Sequence, residues 1–147
     1  MASMKRAGRL NWIAMVGVLG IAVIGFLMFF GQKSSTSNAI AFMEALGNKD
    51  VDRLVELSSW DGDKEDLRKK WDYSVNTAGK YYVFRWEVLS EKKADDNHSA
   101  VKLTVFRNAF RPQTFPEKFE LPMVREGDEW KVDVRGLSHQ IFPATPR

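Results

Sequence analysis

The chain has no cysteine and only 2 histidines. The first absence excludes disulfides, thiol catalysis, cysteine-ligated zinc and a lipidated N-terminal cysteine. His98 and His139 stand apart from each other without ligand spacing, so no metal site is expected on them. Acidic residues are also missing from the N-terminal part, where none precedes Glu44. Lys5, Arg6 and Arg9 carry the net charge of +3, and the other basic residues balance the 19 acidic ones. A nearly neutral folded part lacks the basic face that nucleic acid demands, so no nucleic-acid partner is expected.

The stretch Trp12 to Phe30, WIAMVGVLGIAVIGFLMFF, lacks charge altogether. As a helix it would span about 28 Å, the thickness of a bilayer's hydrocarbon core. It is longer than the apolar region of a cleaved signal peptide, and no small-residue cleavage site follows it directly. Lys5, Arg6 and Arg9 precede it and only Lys33 follows closely, which predicts a cytoplasmic N-terminus and an extracytoplasmic remainder. In a bacterium that means an inner-membrane anchor carrying a periplasmic domain. Ala14, Gly17 and Gly25 fall within about 80° of one another at 100° per residue, a small-residue face on which another helix could pack closely.

Helical spacing follows. Ile40, Phe42, Met43 and Leu46 predict a helix over about Asn38 to Leu46, ended by Gly47-Asn48. Asp50 can cap a second helix over about Val51 to Ser58, and Asp61 or Asp63 a third that turns Leu67 and Trp71 inward. After Gly79 the period becomes two. Tyr82, Phe84, Trp86 and Val88 share one face, as do Val101, Leu103 and Val105, then Phe119, Leu121 and Met123, then Trp130, Val132 and Val134. Four such strands predict an antiparallel sheet with one face covered by helices and one face wet. Pro122 cannot donate to a ladder, so its strand should be an edge or bulged there, and a bulge would turn Glu120 inward. The class is α+β: about three helices packed on a curved antiparallel sheet of about four strands.

The helical opening AIAFMEALGNKDVDRLVEL and the closing GDEWKVDV resemble the nuclear-transport-factor-2-like superfamily, a cone of curved sheet around helices. The resemblance covers about Asn38 to Arg135 and implies the fold. With the anchor added, the layout is similar to the periplasmic scaffold subunits of type IV secretion systems. Enzymes of the superfamily place acids, tyrosines or histidines inside the cone. Here the four inner faces named above hold no Asp, Glu or His, and Arg85, Glu87, Lys102, Lys118, Glu120, Lys131, Asp133 and Arg135 take the other parity. No catalytic residue, cofactor or metal is therefore expected. The acids Asp61, Asp63, Glu65, Asp66 and Asp72 do not keep calcium-loop spacing and suit helix capping.

Two segments remain as partner contacts. The loop FRNAFRPQTF interleaves Arg107 and Arg111 with Phe110, and the alternative is a plain long hairpin loop pinned by Phe110. The tail GLSHQIFPATPR has no periodicity and predicts an extended chain offering Ile141, Phe142 and Pro143. The expected organisation is a basic tail 1–11, a transmembrane helix 12–30, a linker 31–37, an extracytoplasmic domain 38–135 and an extended tail 136–147. The expected function is a non-enzymatic single-pass subunit that stabilises a bacterial secretion, photosynthetic or respiratory complex. Its partners would be the bilayer and other membrane subunits, with self-association kept open. The alternative is a membrane-tethered ligand-binding module, or an isomerase- or cyclase-like enzyme, using the cone cavity.

Overall fold

A computed structural model describes residues 34–82, 84–107 and 116–147. The expected membrane span, its Ala14/Gly17/Gly25 face, the basic residues Lys5, Arg6 and Arg9, and the loop residues Phe110 and Arg111 lie outside the described residues. No helix among the described residues is long and apolar enough to cross a membrane.

Helix α1 runs Ser35–Asn48. Ser34 caps it, its Oγ accepting the Ser37 N–H at 3.1 Å. The helix thus starts ahead of Asn38, and the serines read as linker form its first turn. Asn38 is buried inside the helix and donates Nδ2 to the Trp130 carbonyl. Lys49 ends the helix in the left-handed region at φ 56°, its N–H turned to the Ala45 and Leu46 carbonyls. Asp50 caps α2, Val51–Leu57, by accepting the Arg53 N–H. Asp63 caps α3, Lys64–Thr77, in the same way through Asp66 N–H. Between them lies β1, Ser58–Ser59.

A 3-10 turn, Gly79–Tyr82, leads into the sheet. Its strands are β2 Phe84–Lys93, β3 His98–Arg107, β4 Pro116–Glu126 and β5 Glu129–Asp133. The order is β1-β5-β4-β3-β2. Because β1 lies parallel to β5, the sheet is mixed and has five strands, where four antiparallel ones were expected. Two serines are too short a run to show a period, which is why β1 left no trace in the pattern.

The inner-face parity holds. Val101, Leu103, Val105, Leu121, Met123, Val132 and Val134 are buried against α1 and α3 residues such as Phe42, Leu67 and Trp71. Trp71 lies edge-on to Phe42 with centroids 5.7 Å apart, and its Nε1 donates to Ser58 Oγ at 3.0 Å. Ser58 Oγ in turn donates to the Leu54 carbonyl at 2.6 Å. One hydroxyl thereby joins α3, β1 and α2 in the core.

The strand of Pro122 is neither an edge nor bulged there: β4 lies between β5 and β3, and the sheet's bulge falls in another strand. Pairing of β3 with β4 continues unbroken through Ala100 and Pro122, and Glu120 stays exposed. The shift falls in β2, between Val88, opposite Leu103, and Ser90, opposite Lys102. Leu89 is the extra residue and is 51% exposed. An extra residue reverses parity, so Glu91 comes opposite the buried Val101 and onto the helix side.

The C-terminal segment also departs from expectation. A 3-10 turn, Val134–Gly136, follows β5, and the chain then folds back rather than extending away. Ile141 and Phe142 are buried in the domain's own core. Burying a phenylalanine is worth about 2–3 kcal/mol, enough to hold a segment that has no periodic structure of its own.

Candidate functional site

Phe142 is fully buried at the inner face of the sheet. Its ring meets Phe119 edge-on at 5.0 Å and Phe84 edge-on at 6.4 Å between centroids. Phe119 comes from β4 and Phe84 from β2, so the ring of the tail sits against two strands that flank β3. Edge-to-face contacts of this kind add roughly 1 kcal/mol beyond the area buried.

Side chains of the domain hold the segment by its carbonyls. Arg107, at the end of β3, donates Nη2 to the Ile141 carbonyl at 2.7 Å and to that of Gln140 at 3.3 Å. Tyr82 donates its hydroxyl to the Pro143 carbonyl, and Ser74 donates its own to Ala144. Lys70 Nζ donates to the Arg147 carbonyl at 2.8 Å. Within the segment, Phe142 N–H reaches Ser138 O at 2.8 Å and Thr145 Oγ1 donates to Phe142 O at 3.2 Å. Ala144 adopts φ 61°, a left-handed conformation costing a residue with a Cβ about 1 kcal/mol. The segment is a strap, tethered by four side chains and plugged by one ring.

Electrostatics favour the tethers. Burial pushes the Tyr82 phenol up to about 12, so it is a donor throughout the neutral range. Arg107 also pairs with Glu117, with Nε 3.3 Å from Oε1, although Nε makes no hydrogen bond. A shallow cleft of about 440 Å³ follows the seam between α3 and the strap, bounded by Lys69, Lys70, Tyr73, Thr145, Pro146 and Arg147.

One carboxylate turns to the helix side, although its residue stays exposed. Glu91 Oε1 accepts the Ser35 hydroxyl and, at 3.2 Å, that of Ser99, while Oε2 accepts Thr36 Oγ1 at 3.0 Å. The Ser35 bond foremost holds this carboxyl below its ordinary range; burial opposes it, and Thr36, Ser99 and Lys93 assist. A carboxylate that already accepts from three hydroxyls is poorly suited to exchange protons near neutral pH. The sequence pattern hid it because the bulge at Leu89 has no local signature. Among the described residues no group of three or more histidines and acids could hold a metal ion.

Of the expected contact residues, Arg107, Ile141, Phe142 and Pro143 are brought together, but with one another. Ile141 and Phe142 are buried within this chain, and Arg107 is engaged with the tail's own carbonyls. Tyr82, Ser74 and Lys70 were missed as their partners. Nothing in a local pattern marks a side chain that bonds a carbonyl 61 to 77 residues away.

No protein-family model and no curated protein matches the chain. Among solved structures it is similar to an NTF-2-like protein of unknown function from Shewanella oneidensis, with 12% identity over 66% of this chain and 89% of that one and a TM-score of 0.43. It is also similar to a SEC-C motif-containing protein from Rhodopseudomonas palustris, with 15% identity, 61% and 67% coverage and a TM-score of 0.40. A function-unknown protein from Mycobacterium tuberculosis is similar over 88% of this chain and 73% of its own, at 8% identity and a TM-score of 0.44.

Proposed function

We propose that the chain is a membrane-anchored, non-enzymatic subunit whose nuclear-transport-factor-2-like domain stabilises a multi-subunit bacterial membrane complex from the periplasmic side. The observation that carries the reading is Phe142: the interior where a superfamily enzyme would hold substrate is here filled by the chain's own ring. A domain with its interior so occupied is suited to act through its surface. The uncharged stretch Trp12 to Phe30, which ends just before α1 begins at Ser35, supports tethering to a bilayer. The exposed outer sheet face, with Lys102 beside Glu120 and Lys131 beside Glu126, supports contact with polar protein surfaces more than with lipid.

Native purification from membranes in mild detergent, followed by mass spectrometry, tests this. The expected result is co-purification of integral membrane subunits in fixed ratio. Recovery of the chain alone, or from the soluble fraction, would sink the proposal.

A further inference from the structure

We propose that two copies of this chain associate through β2, edge to edge and antiparallel, so that their two sheets join into one. β2 closes the sheet on one side: among the described residues it pairs with β3 and with no other strand. The opposite edge, β1, is 2 residues long, whereas β2 runs 10. A long edge presents unpaired N–H and C=O groups that a further strand can use. Bare edges are ordinarily blunted by proline or a bulge. From Phe84 to Val88 this one has neither, and the bulge follows at Leu89. Charges also blunt an edge, unless the incoming strand presents their opposites, and this run carries both signs itself.

The order of those charges selects a second copy as the occupant. Joining two sheets about a twofold axis sets like face against like face, so each residue meets one of its own parity. Three such pairings centre inside the run, on Arg85, on Trp86 or on Glu87. The first sets Arg85 against the partner's Arg85, and the last sets Glu87 against the partner's Glu87. Only the pairing centred on Trp86 places Arg85 opposite the partner's Glu87, twice over by symmetry. It also places Phe84 opposite the partner's Val88 on the inner face. Opposite charges and apolar pairs directly across a ladder are the contacts that stabilise it.

Each contact supplies what one copy leaves unmet. On the outer face Lys102 pairs with Glu120 and Lys131 with Glu126. Among the described residues Arg85 and Glu87 have no ion-pair partner. Arg85 lies over the Phe106 ring, 4.6 Å from its centroid, which steadies the guanidinium on that face. Glu87 meets the uncharged Thr104 across its own ladder. On the inner face Phe84, Trp86 and Val88 are only partly buried, while Leu103 and Val105 beside them on β3 are fully buried. A second β2 covers that half-open row.

The test uses the full chain in mild detergent. The chain has no cysteine, so introduced thiols report geometry without background. Arg85→Cys and Glu87→Cys chains, mixed and oxidised, should give at least tenfold more of the mixed disulfide dimer than of either chain joined to itself. Like positions lie on a diagonal about 7–8 Å long, beyond the reach of a disulfide. Equal yields of the three products, or no mixed product, would overturn the proposal. Charge exchange gives a second readout at the same exposed positions. Arg85→Glu and Glu87→Arg should each lower the dimer seen by native mass spectrometry at least fivefold, and the chain carrying both should recover it. Dimers untouched by the single changes, or not recovered by the double one, would place the contact elsewhere and also overturn the proposal. None of these readouts needs a co-purified subunit, so they can fail or succeed apart from the scaffold reading.

Discussion

Glu91 accepts the hydroxyl of Ser35 across the seam between β2 and the first turn of α1. The contact exists because the bulge at Leu89 reverses the strand's parity and points the carboxylate at the helix. Ser99 and Thr36 share the same carboxylate, so one side chain ties the helix start to two strands.

Replacing Glu91 with alanine should cost roughly 1 kcal/mol, since three hydroxyls lose a charged acceptor but can turn toward water. The sign of the pH dependence follows from its depressed folded-state pKa. The stabilisation is present above the ordinary carboxylate range and is lost as pH falls through the depressed folded value. Chemical denaturation of both chains should therefore give curves that separate at neutral pH and converge in acid. A constant gap down to the most acidic conditions would refute the role of the charge.

Truncating Phe142 should be among the most damaging single changes in the domain. Phenylalanine-to-alanine changes in cores cost about 3–5 kcal/mol. A measured loss below about 1 kcal/mol would mean that the ring contributes little where it sits.

Tyr82 predicts an alkaline weakening. Its folded pKa of about 12 lies above the ordinary tyrosine value of 10.0. The folded state therefore holds the phenolic proton more tightly, and the associated stability is intact below pH ~10 and lost as pH rises toward ~12. Two pKa units correspond to about 2–3 kcal/mol. Tyr82→Phe should flatten this part of the stability profile, as followed by urea titration between those pH values.

Trp71→Phe keeps most of the apolar volume but removes the donor to Ser58 Oγ. The expected loss is about 1–2 kcal/mol, from one buried acceptor left unmatched and a smaller ring in a close-packed site. Thermal unfolding would measure it, and an unchanged midpoint would show that the bond is dispensable.

The sequence was most readable where structure is local. Asp50 and Asp63 cap the helices they precede, and Leu67 and Trp71 turn inward four residues apart. Strand parity in β3, β4 and β5 was legible because side chains alternate whatever the partner strand. Legibility failed at Ser34 to Ser37, where a capping run reads equally as a linker, and at Ser58–Ser59, too short to carry a period. It failed again at Leu89, whose extra place in the strand depends on the register against β3.

By itself, then, the sequence determined the α+β class, the helix caps and the apolar inner faces, because these follow from nearest-neighbour spacing and from the backbone's two periods. It left Phe142 in an unpatterned segment and Arg107 where strand and loop readings meet, the structure making Arg107 the last residue of β3, and it did not say what either meets. Only the tertiary structure decided that Phe142 turns back into the core, that Arg107, Tyr82, Ser74 and Lys70 hold its neighbours, and that Glu91 points at α1. Those contacts join residues far apart in the chain. They form because a buried ring and a satisfied carboxylate lower the free energy of the whole fold, a property that no local window of sequence contains.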